Sequence, residues 1–231
     1  MMHQLIDRKN RLFFYLIIFL FLSTINSFSW IKSKKNLSNV SSIEVEGLSE
    51  KLNLSIKKKL EFLLNQNIFF FNKQKLRKEL DKYNFLDNYY VYKIFPSKIK
   101  INLIQTELLA TTMRDNNKYY LGFNGKLINQ NEIESKKELP NIFGNFPIDK
   151  FISLTKIIQE NNFNYESILY FYYFPNGRWD IKMKNDLEIK LPKENVTNSI
   201  IIAKKIINSS ELGENKVIDL RIPNQVILSN E

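Results

Sequence analysis

The sequence predicts an α+β fold carried behind an N-terminal transmembrane helix. Three observations predict it. Residues Leu12–Leu22 are apolar without a break. Short runs of period-two alternation recur from residue 42 to the end, as in Ile43 and Val45 against Glu44 and Glu46. Helical spacing interrupts these runs in only four places, and the first elements read strand, helix, helix, strand, strand.

After Arg11 no charge appears until Lys32, and the window Leu12–Ile31 is long enough, as a helix of about 30 Å, to cross a hydrocarbon core. Phe28 and Trp30 sit where an interfacial aromatic anchor would fall, with Lys32, Lys34 and Lys35 beyond. Two readings fit. One is an uncleaved anchor with residues 1–11 as a cytoplasmic stub. The other is a secretory signal peptide cut at the small-x-small site Ser27-Phe28-Ser29. Ser23, Thr24, Asn26, Ser27 and Ser29 weaken the far half of the span. Both readings export everything that follows.

Residues 32–41 form a polar linker, and a unit of about 70 residues begins at Ser42. Ser42–Glu46 is a strand ended by Gly47. Leu54–Gln66 is a helix with Ile56, Leu60, Leu63 and Leu64 on one face. Asn72 caps a second helix with Leu76, Leu80 and Tyr83 on one side. Tyr89–Ile94 and Lys98–Thr106 are strands around Phe95-Pro96-Ser97. From about residue 110 strand pairs dominate. Tyr119–Leu121 and Lys126–Ile128 flank a glycine-rich turn; Ile168–Phe174 and Arg178–Lys184 flank Pro175-Asn176-Gly177, where Asn-Gly suits a type I′ turn. In the second pair Trp179, Ile181 and Met183 face one way, and Arg178, Asp180 and Lys182 the other. Leu187–Leu191, Val217–Ile222 and Gln225–Leu228 add strands; Asp149–Glu160 and Asn195–Asn208 add helices. A mostly antiparallel sheet with helices on one face follows.

The chemistry available is narrow. The chain has no cysteine, so disulfides, thiolate zinc sites and a cysteine nucleophile are excluded. Its single histidine, His3, cannot support a two-histidine metal site or a histidine triad. No catalytic, cofactor-binding or metal-ligating residue is assigned. The net charge of +10 is half explained by residues 1–35, which hold six basic side chains and Asp7 alone among acids. The remaining excess is scattered, as on a solvated surface, and does not point to nucleic acid. Glu44 and Glu46 read as solvated. Asp219, with no partner visible in the sequence, reads as strand-edge or turn chemistry. The aromatic run Tyr170–Phe174 lacks interleaved cations and reads as strand packing.

Several stretches together resemble one family. Ile43-Glu44-Val45-Glu46-Gly47 and Tyr90–Ile101, with Phe95-Pro96 at its centre, are similar to the first-domain strands of the bacterial cell-division family FtsQ/DivIB. Glu107 and Ala110, Leu139–Gly144, Gly177–Asp180 with Asp186–Pro192, and Lys216–Pro223 resemble later motifs of that family, in order. Departures are Lys93 for arginine, Phe95 for tryptophan, Leu109 for proline and Asn185-Asp186 without a glycine. The resemblance implies a POTRA domain at 42–109, a β domain at 110–231, and a helix over 12–31 that is retained. It implies an inner-membrane protein with a cytoplasmic N-terminus, no enzymatic activity, and partners of the FtsB and FtsL type at the septum. A last strand at a sheet edge would admit a partner by β-augmentation. Arg221, Ile222, Asn224 and Val226 are the residues expected to touch that partner. The alternative is another POTRA-bearing periplasmic protein, of an outer-membrane assembly or secretion system.

Overall fold

A computed structural model describes residues 8–24, 38–133, 135 and 137–230. The first helix, α1, is described over Arg8–Thr24 and starts earlier than the sequence suggests. It has 17 residues, which corresponds to about 25 Å. Among the described residues no helix is long and apolar enough to cross a membrane, and the second part of the expected 12–31 span, residues 25–31, lies outside them. The Ser23 hydroxyl donates back to the Leu20 carbonyl (2.9 Å). Residues 25–31, the Ser27–Ser29 cleavage motif, His3 and most of the linker lie outside the described residues. From Leu12 to Leu22 every side chain of α1 is exposed.

The chain forms two units, residues 1–79 with 89–103, and 80–88 with 104–231. In the first, β1 (Ser42–Glu46) leads into α2 (Glu50–Lys59), a 3₁₀ turn (Glu61–Leu63) and α3 (Lys73–Leu80). β2 (Leu86–Ile94) and β3 (Lys98–Gln105) follow, and β3 lies between β1 and β2 in a three-stranded sheet. β1 runs parallel to β3, Ile43 opposite Ile99 and Val45 opposite Ile101. One face buries Ile43, Ile99 and Ile101; on the other, Glu44 pairs with Lys98 and Glu46 with Lys100 (2.8 Å). The two acids are thus partnered rather than only solvated. Lys98 holds the Glu44 carboxyl below the ordinary carboxylate range, chiefly through their hydrogen bond. Gly47 sits at φ +103°, where an added Cβ would collide with the Leu103 carbonyl oxygen, so the strand must end on glycine. Asn72 caps α3 as expected, its Oδ1 accepting from the Lys75 N–H (2.9 Å).

The second unit is built on nine strands: β4 (Leu108–Arg114), β5 (Asn117–Gly122), β6 (Leu127–Asn129), β7 (Asn141–Phe143), β8 (Ile168–Tyr173), β9 (Trp179–Met183), β10 (Glu188–Lys190), β11 (Val217–Asp219) and β12 (Ile227–Ser229). Their order is β12-β11-β10-β9-β8-β7-β4-β5-β6. Five neighbours are antiparallel and three parallel (β4–β7, β7–β8, β10–β11), so the sheet is mixed. Two of the parallel pairs arise where α4 (Ile148–Glu160) crosses over from β7 to β8 and α5 (Val196–Ile207) from β10 to β11, whereas β4 reaches β7 through β5 and β6. Phe151, Leu154 and Ile158 of α4 and Ile200, Ala203 and Ile206 of α5 join Phe171, Trp179, Ile181, Ile189 and Ile218 in one core. Phe151, Phe171 and Trp179 are its centre, with ring centroids 5.1–6.4 Å apart.

The β8–β9 turn differs from the expected type I′. Gly177 has φ +89°, but Asn176 does not take positive φ, and the Gly177 N–H donates to the Phe174 carbonyl (2.9 Å). Pro175, fixed near −65°, occupies the second place of a Phe174–Gly177 turn and displaces the Asn-Gly pair from its centre.

Candidate partner-binding edge

The four residues expected to contact a partner come together on one segment. After Asp219 ends β11, Leu220 is buried and its N–H donates to the Lys190 carbonyl (2.9 Å). Arg221, Ile222, Asn224 and Val226 then form an exposed turn that feeds β12. Pro223 precedes Asn224 at φ +60°, and the Gln225 N–H donates to the Ile222 carbonyl (3.2 Å). An asparagine side chain tolerates this left-handed conformation. Ile222 and Val226 are 47% and 43% exposed, so neither packs inside, and both fall in the turn rather than within strands. Ile227, which sequence reasoning did not single out, opens β12 at 44% exposure.

β12 is the outermost strand. Its inner side pairs antiparallel with β11, Val217 opposite Ser229, Ile218 opposite Leu228 and Asp219 opposite Ile227. Among the described residues no strand pairs with its outer side. The turn also faces α5 across a groove of about 200 Å³ walled by Ser199 and Ile202 on one side and Ile222 and Val226 on the other. That volume is below the range of small-molecule pockets. What the site offers is an edge with exposed aliphatic side chains, Ile222 and Val226 on the α5 side and Ile227 on the other.

Behind the edge, a register row crosses six strands on the face away from α4 and α5: Phe143, Tyr172, Asp180, Lys190, Asp219 and Ile227. Its two carboxylates behave in opposite ways. Arg221 Nε donates to Asp219 Oδ1 (2.8 Å) and Oδ2 (2.9 Å), and the Arg221 N–H also donates to Oδ1 (3.0 Å). These bonds hold the Asp219 carboxyl below the usual range. Asp219 therefore has a partner, contrary to expectation, and the guanidinium expected to reach a partner protein is already held within the chain. Asp180 is 2% exposed, and burial pushes its carboxyl up to about 6 against the pull of Arg178. Arg178 Nε lies 3.5 Å from Asp180 Oδ1, and neither atom has a hydrogen-bond partner. The guanidinium instead stacks over Phe174, 4.2 Å from the ring centre. Alternation put Asp180 on the correct face, but nothing local told that its cross-strand neighbours would cover it.

Among the described residues there is no group of three side chains able to hold a metal.

Two family models match the chain: the POTRA domain of FtsQ type over residues 38–104, and the C-terminal domain of cell division protein FtsQ/DivIB over residues 110–221. The chain belongs to the FtsQ/DivIB family. Its role is therefore in cell division, within a family of non-catalytic division scaffolds. The POTRA match spans the three-stranded sheet, and the C-terminal match runs from β4 through β11 to Arg221. Ile222, Asn224, Val226 and β12 thus lie just past the matched residues. A solved structure, the major extracytoplasmic domain of the trans isomer of the cell division protein DivIB from Geobacillus stearothermophilus, is similar at 16% identity. That alignment covers 46% of this chain and 98% of the other, with a TM-score of 0.33, too low to support an argument. Among curated proteins nothing matches.

Proposed function

We propose that this FtsQ/DivIB-family protein is a membrane-tethered, non-catalytic scaffold of the division septum that captures another division protein by strand addition at β12. The partner contributes an extended segment, of the kind an FtsB- or FtsL-type protein would present. Its main chain pairs with the outer side of β12, and its side chains, alternating between the two faces, meet Ile222 and Val226 on the α5 side and Ile227 on the other. The observation that carries this reading is the position of β12 at the margin of the nine-stranded sheet with aliphatic side chains left in water. Each main-chain hydrogen bond gained adds about 1 kcal/mol net, so the apolar contacts supply much of the affinity.

The tether is the largely apolar stretch 12–31, of which α1 is the described part. Eleven successive apolar side chains exposed along that helix favour lipid over water as their surroundings. In this reading residues 1–11 are cytoplasmic and the POTRA domain (42–109) and β domain (110–231) lie outside the inner membrane. Resistance of the full chain to alkaline carbonate extraction tests the tether. Ile222→Glu and Ile227→Glu test the edge. Both side chains are exposed, so the variants should fold and lose partner capture about tenfold or more. Unchanged capture by folded variants refutes strand addition at β12.

A further inference from the structure

The POTRA unit exposes a second apolar feature, which the proposed function does not use. Phe70 is 86% exposed, Phe95 58% and Phe69 54%. Phe69 stacks on Phe95 with centroids 5.1 Å apart and lies 6.4 Å from Phe70, so the three rings form one projecting cluster. It is held in place, not loose. The Phe69 N–H donates to Asn67 Oδ1 (2.9 Å) and the Phe70 N–H to the Asn67 carbonyl (3.0 Å). Lys93 Nζ donates to the Phe69 carbonyl (3.2 Å). Fixed exposed rings mark a surface that meets something apolar.

The cluster sits where the chain arrives from α1. The Ile68 N–H donates to the Ser38 carbonyl (2.8 Å), Asn67 Nδ2 to Ser38 Oγ (3.2 Å), and Asn39 bridges to Asn67. On the other side the Ser41 N–H donates to the Ser97 carbonyl (2.8 Å), two residues from Phe95. Only residues 25–37 separate Thr24 from Ser38, a reach of at most about 50 Å when fully extended. The charge of the converging segments is one-sided. Residues 38–43, 62–78 and 89–97 hold five Lys and Arg and no Asp or Glu.

We propose that the Phe69–Phe70–Phe95 cluster docks on the anionic lipid surface beside the tether, its rings at the boundary of headgroups and acyl chains. Lys73, Lys75 and Lys93 then meet lipid phosphates. Rings alone or cations alone give weak, reversible attachment; the two together, next to a tether that keeps the surface near, make a stable one. The inference rests on the membrane tether of the proposed function and is independent of the β12 edge.

The test uses the full chain in vesicles of equal parts phosphatidylglycerol and phosphatidylcholine. The sequence has no cysteine, so Phe70→Cys carries a single environment-sensitive fluorophore. Docking predicts that a lipid-borne spin label quenches this probe and that aqueous iodide does not. Adding Phe69→Ser and Phe95→Ser should lower the docked fraction about tenfold, and pure phosphatidylcholine should lower it as well. A chain that floats with the vesicles while iodide alone reaches the probe overturns the docking and leaves the tether standing. A chain that does not float overturns both. A probe shielded only after the soluble part of an FtsB/FtsL-type partner is added makes the cluster a protein-binding face, which also overturns the lipid assignment.

Discussion

The two margins of the nine-stranded sheet are finished differently. At one end β6 is covered. Ile128 is fully buried, and Asn84 Nδ2 donates to the Leu127 carbonyl (2.9 Å). Asn124 locks that cover in place, its Nδ2 donating to the carbonyls of Asn84 (2.9 Å) and Leu86 (3.0 Å). At the other end β12 keeps Ile227 in water and, among the described residues, has a neighbour on one side only. An edge strand left open invites another chain, and proteins normally blunt such edges. Among the described residues one margin is blunted from within and the other is not, and this contrast is why the proposed function places the partner at β12.

The largest effect should come from breaking the covered margin. Ile128→Glu places an unpaired charge in a fully buried site and should cost about 3–5 kcal/mol in chemical denaturation. Ile227→Glu, at the open margin, should change stability by less than about 0.5 kcal/mol. Equal losses at the two positions would erase the contrast.

A second effect concerns the row behind β12. Asp180 titrates near 6 in the folded chain against about 3.9 unfolded, so the folded state binds its proton more tightly. Stability should therefore fall as pH rises from about 4 to 6, by up to about 3 kcal/mol, and level off above. Asp180→Asn should remove that slope, read from denaturation midpoints across the interval. A slope unchanged in the variant would assign it to other groups.

Asn124→Ala should cost about 1–2 kcal/mol and speed amide exchange around β6, because two carbonyls lose their donor. Arg221→Ala comes last. Its guanidinium is well exposed, and solvent screening limits the loss to about 1 kcal/mol or less. Asp219 is held below the usual carboxylate range, so this contribution is present above pH about 4 and disappears as acid protonates Asp219. In Arg221→Ala that acid-side loss should shrink.

Much of the fold was legible because its signals are local. The alternation of Ser42–Glu46 and the Asn72 cap carry through to the structure unchanged. The first helix of the POTRA unit runs over Glu50–Lys59 instead of Leu54–Gln66, since its apolar face continues through a 3₁₀ turn that periodicity cannot separate from helix. β7 spans only three residues, Asn141–Phe143, and is held between β4 and β8 by pairings distant in sequence, which no local pattern announces. The site shows the same division. The expectation for Arg221, Ile222 and Asn224 follows from their place in a motif and that for Val226 from the strand after it, whereas the exposure of Ile227 and the burial of Asp180 depend on strand order. Tyr170–Phe174 is half right: Phe171 is core, while Tyr170 and Tyr172 turn to the opposite face beside Phe143.

The most direct measurement is hydrogen exchange on the full chain with and without an FtsB/FtsL-type protein of the kind proposed to bind it. Strand addition predicts new protection over residues 226–229, with β6 unchanged because its margin is already closed. Saturating partner that leaves 226–229 exchanging as in the free chain would contradict it.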